Sequence, residues 1–201
     1  MPQQLSMDDI PGHEAVKAQL ADAVAEGHNV LLVGPPGAGK TMLARRVPLL
    51  MPPWSAQEAE TAAEMYELAG LAPPLTRPFR APHHTVSLTG MTGSARTHRV
   101  GELALAYAGV LFLDDFPEFS MSVIEYAIRP AVRDVFPSSF LLIGTMNPCP
   151  CGFHGGPEGR CRCSAAAMAS YQDHAERMAH GLFDLWLPVP ALKWPVEMRR
   201  Y

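Results

Sequence analysis

The chain contains two kinds of hydrophobic pattern: short continuous apolar runs, and longer stretches in which apolar residues recur at helical spacing. Four short runs are dominated by Val, Leu, Ile and Phe and have the length of buried β-strands. These runs span 29–33, 110–113, 140–145 and 182–189. Longer stretches repeat their apolar residues at helical spacing, or begin with a capping residue, and predict α-helices. These stretches span 8–28, 40–50, 56–69 and 164–180.

The order of these elements predicts the fold class. Strands alternate with helices along most of the chain, an order typical of a mainly parallel sheet that is covered by helices on both faces. We therefore predict a three-layer α/β/α domain. The chain has 201 residues, and a single module is the simplest arrangement at this length. We predict tails at 1–7 and 191–201 on either side of it.

The stretch 71–101 follows neither pattern. Four prolines alternate there with arginines and histidines, and no apolar repeat persists. We predict a long loop or hairpin region, either functional or simply a solvated insertion into the module. It contains the adjacent His83 and His84. Neighbouring side chains on an extended chain point in opposite directions, so we do not expect this pair to share a metal ion or to act in catalysis.

A glycine-rich turn follows the first predicted strand. Residues 34–41 fit the pattern G-x-x-x-x-G-K-[ST] at every fixed position. Glycines allow the backbone to curl so that several N–H groups face a phosphate. Lys40 can reach the terminal phosphates, and the Thr41 hydroxyl can ligate Mg²⁺. The predicted nucleotide-binding residues are Gly34, Pro35, Pro36, Gly37, Ala38, Gly39, Lys40, Thr41 and Met42.

Polar residues end the second and third predicted strands. Asp114 and Asp115 follow the second apolar run, and Asn147 follows the third. Because the carboxyl ends of parallel strands share one edge of a sheet, these side chains can face the glycine-rich turn. We predict that Asp114 completes the Mg²⁺ site and that Asp115 directs the attacking water. Asn147 is predicted to hold the γ-phosphate or that water.

Composition narrows the class of protein. Hydrophobic residues make up 48% of the chain, which is enough for a core, and no apolar run is long enough to span a membrane. The net charge is −4 and there is no run of Lys and Arg, which argues against a generic nucleic-acid-binding surface on the single subunit. The N-terminus lacks the pattern of a signal peptide, so we expect a cytoplasmic protein without a membrane partner.

The four cysteines cluster between 149 and 163 instead of spreading along the chain as a secreted disulfide framework would. They form two C-x-C pairs within a loop predicted at 148–163. Four thiolates so close together can surround a tetrahedral Zn²⁺, which would order this glycine-rich loop. Free thiols and a redox role are the alternatives. The candidate ligands are Cys149, Cys151, Cys161 and Cys163.

Four longer strings carry a family resemblance. They are GPPGAGKTMLARR at 34–46, RPFRAPHHT at 77–85, GVLFLDDFPEFS at 109–120 and MNPCPCG at 146–152. Together they resemble the AAA+ module of the magnesium chelatase-like (ComM/YifB) bacterial ATPases and, more distantly, the magnesium chelatase ATPase subunit. The resemblance implies an AAA+ P-loop fold, Mg·ATP as cofactor and assembly into a homo-oligomeric ring, a hexamer. For the ComM branch it also implies DNA branch migration during transformation.

Three departures from the family pattern bear on function. The family usually has Asp-Glu where this chain has Asp114-Asp115, and the shorter carboxylate of Asp115 falls about 1 Å short of an attacking water. The family carries an Asp-Arg pair before the last strand, whose arginine reaches a neighbouring subunit's nucleotide. Here that place reads Gly181-Leu182. Because the sequence ends at Tyr201, we expect either a reduced module without the helical lid domain that follows in the family, or a fragment of a longer protein.

Two classes of function follow from these features. In the first, the chain is an ATPase that couples hydrolysis to remodelling of DNA or of a partner protein. In the second, it is a regulatory or scaffold subunit that binds ATP with little or no turnover. A third alternative is the ATPase subunit of a metal chelatase, which the cysteine pairs and the string at 77–85 make less favoured.

Overall fold

The computed structural model describes residues 6–133, 140–155 and 160–191. Most of the tails predicted at 1–7 and 191–201, and the middle of the predicted cysteine loop, lie outside these residues. The strands are β1 (Val30–Val33), β2 (Phe79–Arg80), β3 (Gly93–Ser94), β4 (Arg99–Val100), β5 (Val110–Leu113), β6 (Leu141–Met146) and β7 (Leu185–Pro188). The helices are α1 (Glu14–Ala25), α2 (Lys40–Ala44), α3 (Val47–Leu50), α4 (Ala56–Leu68), α5 (Leu88–Thr92), α6 (Glu102–Leu105), α7 (Met121–Val123), α8 (Arg129–Arg133) and α9 (Ala165–Ala179).

Five strands form one parallel sheet in the order β2-β5-β6-β1-β7. All four apolar runs predicted as strands are present, as β1, β5, β6 and β7. The register sets Val30 opposite Ile143 of β6 and opposite Leu185 of β7. β1 therefore lies inside the sheet, with β6 between it and β5. This order brings the ends of β1, β5 and β6 to one edge.

Side chains of successive strand residues enter two separate cores on the two faces of the sheet. Val30 and Leu32 of β1 pack in one cluster with residues of α1 and α2, and Leu31 packs in the other with residues of α9. β5 alternates in the same way, with Phe112 in the first cluster and Leu113 in the second. Because both faces are buried, β1 and β5 are uniformly apolar. The predicted three-layer α/β/α fold is confirmed.

The helices predicted at 56–69 and 164–180 are confirmed as α4 and α9, with ends within one residue of the prediction. Each begins at a serine whose hydroxyl accepts a backbone N–H. Ser55 accepts from Glu58 and Ser164 accepts from Ala167, both at 3.2 Å. Within the described part of the chain, every helix falls short of the length or hydrophobicity that a bilayer span requires.

Two predicted helices are shorter or interrupted. The helix predicted at 8–28 is α1, which begins only at Glu14 because Gly12 and His13 both have left-handed backbone angles, with φ of 70° and 62°. The helix predicted at 40–50 is divided into α2 and α3. Pro48 lies in the first turn of α3. Its missing N–H is not needed there, so it begins a helix instead of ending one.

The stretch 71–101, predicted as a loop or hairpin region, does contain a hairpin, and it has other regular elements that the sequence does not indicate. It contains β2, α5 and an antiparallel hairpin of β3 and β4, and each strand has only two residues, too few for a periodic pattern. Two arginines anchor it to the module. Arg80 forms a two-point ion pair with Glu102 at 2.7 and 2.9 Å. Arg77 donates to the carbonyl groups of Pro52 and Ala108.

Candidate nucleotide-binding site

The glycine-rich turn connects β1 to α2 at the carboxyl edge of the sheet. Gly37 and Gly39 have φ of 76° and 89°, which other residues rarely adopt, so glycine permits the curl of this turn. Gly34 is needed for a different reason. A Cβ atom there would lie 2.2 Å from the carbonyl oxygen of Val189, just after β7. The turn is therefore packed tightly against the end of the last strand.

Lys40 is buried beneath this turn. Its Nζ donates to the carbonyl oxygens of Gly34 at 2.6 Å and Pro35 at 3.1 Å, and to Oδ1 of Asn147 at 3.2 Å. Burial lowers the pKa of Lys40, and the nearby carboxylates of Asp115 and Asp114 oppose that shift. A single cation is thus held where the turn and the end of β6 meet, close to two acids.

Asp114 is fixed by hydroxyl groups from two other elements. Thr145 of β6 donates from Oγ1 to its Oδ1 at 2.6 Å, and Thr41 Oγ1 lies 3.4 Å from each carboxylate oxygen. The carboxylate of Asp114 and the hydroxyl of Thr41 are therefore neighbours, as predicted from their positions after β5 and β1. Oxygen ligands of this kind are those that Mg²⁺ prefers.

Asp115 has an unusual backbone conformation, with φ of 49°. Its N–H donates to Thr145 Oγ1 at 2.9 Å, and its Oδ1 lies 3.4 Å from Asn147 Nδ2. Partial burial and the neighbouring Asp114 carboxylate raise the pKa of Asp115. A carboxylate with a raised pKa is a better proton acceptor, so this environment suits an acid that activates water.

These side chains line one open pocket of about 450 Å³, a volume suited to a nucleotide-sized ligand. Gly34 and Pro35 lie buried beneath it, whereas the other predicted nucleotide-binding residues line it. The structure therefore brings together the residues predicted from three different strands. The lining residues are Pro36, Gly37, Ala38, Gly39, Lys40, Thr41, Met42, Asp114, Asp115 and Asn147.

Two residues of the site could not be predicted from the sequence alone. Thr145 is fully buried, and its hydroxyl links the Asp114 carboxylate to the Asp115 backbone. The buried His13 lies under the turn, with Nε2 2.8 Å from the carbonyl oxygen of Ala38. Its Nδ1 has no hydrogen-bond partner among the described residues. A threonine inside an apolar run is the only signal for the first, and nothing in the local sequence indicates the second.

Replacing Thr145 by valine is expected to lower the free energy of unfolding by about 2 kcal/mol, because the Asp114 carboxylate and the Asp115 N–H lose their shared partner. Thr145→Ser keeps the hydroxyl and loses one buried methyl group, so its expected cost is about 1 kcal/mol. Urea denaturation of the three proteins measures the difference. A valine variant at least as stable as the serine variant would contradict the linking role.

The described residues of the cysteine loop bring all four sulfur atoms within 4.8 Å of one another. None of these four cysteines forms a disulfide, and Cys149 is fully buried. The N–H of His154 donates to Cys149 Sγ at 3.3 Å. Backbone N–H groups of Phe153 and Arg162 lower the pKa of the Cys151 thiol to about 6. Contacts with the neighbouring cysteines raise the pKa of Cys161 and of Cys163 instead, so the loop stabilises a thiolate at Cys151, the form of cysteine that binds metals.

His83 and His84 do not point apart as expected. Their ring centroids are 4.1 Å apart, and the His84 ring meets Phe119 edge-on at 6.5 Å. The expectation that the two side chains point in opposite directions was wrong because the chain turns here instead of running extended. The N–H of Val86 donates to the His83 carbonyl oxygen at 2.9 Å, and the N–H of Thr85 donates to His83 Nδ1 at 3.3 Å.

The segment between α9 and β7 carries no arginine. Gly181, with φ of 68°, ends α9, and Leu182 is buried in the core. Asp184 accepts the Asn29 N–H at 2.8 Å and ties the segment to the start of β1. The chain has no arginine from 178 to 198, so this segment cannot supply the arginine that the resemblance implies for its place before the last strand.

A P-loop sequence after a central parallel strand, with an acidic pair at the end of the strand two positions away in the sheet, is typical of a P-loop NTPase fold. The family model described as "Magnesium chelatase, subunit ChlI" matches residues 6–196. The chain belongs to this family, and within it to the magnesium chelatase-like ComM/YifB group.

Named relatives place the chain in this group. It is 36% identical over 202 residues to "Uncharacterized protein YifB" of Escherichia coli strain K12, covering 93% of this chain and 40% of that protein. It is also 36% identical over 203 residues to "Competence protein ComM" of Haemophilus influenzae, covering 94% of this chain and 40% of that protein. The chain thus spans about two fifths of the length of these curated relatives.

Solved structures agree on the fold. NtrX from Brucella abortus in complex with ATP superposes with a TM-score of 0.57 at 16% identity, over 96% of this chain and 39% of that chain. The Thermotoga maritima RuvB Holliday junction branch migration motor superposes with a TM-score of 0.51 at 19% identity, over 91% of this chain and 47% of that chain. At these identities the likeness concerns the fold alone.

Proposed function

We propose that this chain is a Mg·ATP-binding AAA+ module that hydrolyses ATP slowly and uses it to remodel DNA or a partner protein. The observation that carries the proposal is the convergence of Lys40, Thr41, Asp114 and Asn147 on one pocket at the sheet edge. They follow three different strands of the sheet, and together they offer a cation, a hydroxyl, a carboxylate and an amide to a triphosphate.

Each residue has a distinct proposed role. The N–H groups of the glycine-rich turn bind the β- and γ-phosphates, and Lys40 exchanges its carbonyl partners for phosphate oxygens. Thr41 and Asp114 hold Mg²⁺, which neutralises charge on the phosphates. Asn147 orients the γ-phosphate through its amide. Asp115 accepts a proton from the attacking water, a task that its raised pKa suits.

The experiment that tests this proposal compares binding with turnover. Calorimetric titration of Mg·ATP into the protein is expected to show saturable binding, and a steady-state assay is expected to show slow phosphate release above that of Lys40→Ala. Saturable binding with turnover equal to the lysine variant would favour the regulatory or scaffold subunit instead. Two observations already favour that alternative: the short Asp115 side chain and the absence of an arginine before β7. No binding at all would refute both.

The proposal includes assembly into a ring, which the family resemblance implies as a hexamer. In such a ring, an arginine near the γ-phosphate has to come from a segment other than 178–198. Mass measurement in solution with and without Mg·ATP tests assembly. We also propose a cytoplasmic location, where ATP is available and thiols stay reduced. A structural Zn²⁺ on the four cysteines completes the proposed set of cofactors.

The β3–β4 hairpin favours DNA as the remodelled substrate. Its turn presents Arg96, His98 and Arg99, all exposed, on a chain whose net charge is negative. The relatives ComM and RuvB are named for competence and for branch migration of Holliday junctions. A local basic hairpin of this kind can contact phosphates without a generic basic surface.

Replacing both Arg96 and Arg99 by alanine is expected to weaken binding to forked DNA. If each arginine neutralises one phosphate, the slope of log affinity against log salt falls by about 2. Fluorescence anisotropy across a salt series measures the slope, and Arg177→Ala, an exposed arginine on α9, serves as the control. Binding that is absent or independent of salt in the unmodified protein would count against DNA and would favour a protein partner, including that of a metal chelatase.

A further inference from the structure

The four cysteine sulfur atoms form a cage of tetrahedral size. A Zn²⁺ ion about 2.3 Å from each of four sulfurs keeps those sulfurs about 3.8 Å apart. Cys161 Sγ lies 3.8 Å from Cys149 Sγ and 3.7 Å from Cys151 Sγ, and these last two are 3.5 Å apart. With Cys163, all four lie within 4.8 Å of one another. The donor set and its spacing therefore fit Zn²⁺ with little rearrangement.

The cage is connected to the nucleotide pocket at one end and to α9 at the other. Its first ligand, Cys149, is two residues beyond Asn147, which bonds to Lys40 and Asp115. Its last ligand, Cys163, directly precedes Ser164, the residue that caps α9. The metal ligands therefore bracket a segment that begins at a pocket residue and ends at the start of a core helix.

The loop also touches the glycine-rich turn directly. Gly152, between the two cysteine pairs, packs so closely on Pro36 that a Cβ atom would lie 2.7 Å from its Cδ and 2.8 Å from its Cγ. The N–H of Gly152 donates to the carbonyl oxygen of Cys149 at 2.9 Å, which fixes this contact to a metal ligand. Pro36 itself lines the nucleotide pocket.

We infer that the metal-bound cysteine loop supports the part of the nucleotide site lined by Pro36 and Asn147, and that Zn²⁺ and Mg·nucleotide bind cooperatively. This inference rests on the proposed nucleotide binding and adds a second ligand to it. Zinc holds Cys149 and Cys151 in place, and they in turn hold Gly152 against Pro36 and Asn147 beside Lys40. A pocket ordered in advance binds its ligand more tightly, because less ordering remains to be done.

Cooperativity between two ligands is reciprocal. If zinc raises the affinity for nucleotide by some factor, then nucleotide raises the affinity for zinc by the same factor. Couplings between sites are typically of the order of tenfold. A purely structural zinc on a separate loop would instead leave the nucleotide affinity unchanged in protein that stays folded.

The first experiment uses the full chain with its metal. Elemental analysis is expected to find about one zinc per chain, the number that four cysteine ligands hold. Mg·ADP affinity, measured by calorimetry, is expected to fall about tenfold after zinc is extracted and the protein is returned to magnesium buffer. The zinc-loaded protein is also titrated with a chromogenic zinc chelator. The chelator concentration that removes half of the metal is expected to be higher by the same factor when Mg·ADP is saturating. This second measurement does not require the metal-free chain to stay folded.

The second experiment keeps every metal ligand and changes only the contact between Gly152 and Pro36. Gly152→Ala places a methyl group against Pro36, whereas Gly155→Ala has the same left-handed strain, with φ of 72° against 83°, and meets none of the described residues within 4 Å. Both variants are expected to retain zinc. Gly152→Ala is expected to bind Mg·ADP about tenfold more weakly, and Gly155→Ala within about twofold of the original.

The outcomes separate the two proposals. Protein that binds zinc but no nucleotide contradicts the proposed function, and the coupling with it. Protein without zinc overturns the coupling and the proposed structural Zn²⁺, and leaves the proposed binding of Mg·ATP intact. Protein that binds nucleotide equally with and without zinc, or equally in the two glycine variants, overturns the coupling alone.

Discussion

Replacing Lys40 by alanine is expected to reduce ATP turnover by about 10²- to 10³-fold, the usual cost of losing one preorganised donor to developing negative charge. In the folded chain its Nζ is held by Gly34, Pro35 and Asn147 at the centre of the pocket. Binding of Mg·ATP is expected to weaken as well, by roughly tenfold or more, because a charge-assisted contact is lost. Steady-state phosphate release and calorimetry measure the two effects.

A second lysine provides the control. Lys17 lies on α1 and pairs with Glu14 at 3.1 Å, away from the pocket. Lys17→Ala is expected to change turnover by no more than about twofold. Equal turnover in the Lys40 variant and the unmodified protein would mean that the observed hydrolysis does not occur in this pocket.

Replacing Asp115 by glutamate is expected to raise the rate of ATP hydrolysis, by up to about a hundredfold. The carboxylate of aspartate is one methylene shorter, and a misplacement of about 1 Å at a reacting group costs a factor of this size. The Asp115 backbone is held in place by its N–H bond to Thr145, so the longer side chain extends from the same anchor. A gain of function is a stricter test than a loss, because few unrelated changes produce one.

Two further variants complete this test. Asp115→Asn removes the proton acceptor and is expected to abolish the residual turnover while Mg·ATP still binds. Glu118→Gln removes a nearby exposed acid and is expected to leave turnover within about twofold. If glutamate at 115 hydrolyses ATP no faster than aspartate, the length of this side chain is not what limits the rate.

The strands and the glycine-rich turn are predictable because their signals are local. Val30, Leu31 and Leu32 lie alternately on the two faces of β1, and both faces are buried. All three must therefore be apolar, and the run is visible in the sequence. The turn is equally visible because phosphate binding fixes both its residue types and their spacing. Asp114 and Asn147 could be assigned to the same edge because parallel strands share it.

The remaining features depend on tertiary contacts that no local pattern encodes. Thr145 is a site residue only because β6 lies beside β5, which brings its hydroxyl to Asp114. Gly152 matters because it meets Pro36, which is distant in sequence. The strands β2, β3 and β4 have two residues each and form only because they find partners, so the sequence of 71–101 predicts no more than a loop or hairpin region.

The close packing of Gly34 on Val189 has a mechanical consequence. The N–H of Val189 donates to the Val33 carbonyl oxygen at 2.7 Å, and no side chain separates the two backbones. The glycine-rich turn and the stretch that leaves β7 therefore move as one stiff body. A force applied to that stretch therefore acts directly on the glycine-rich turn, and a displacement of the turn displaces the stretch after β7 through the same contact.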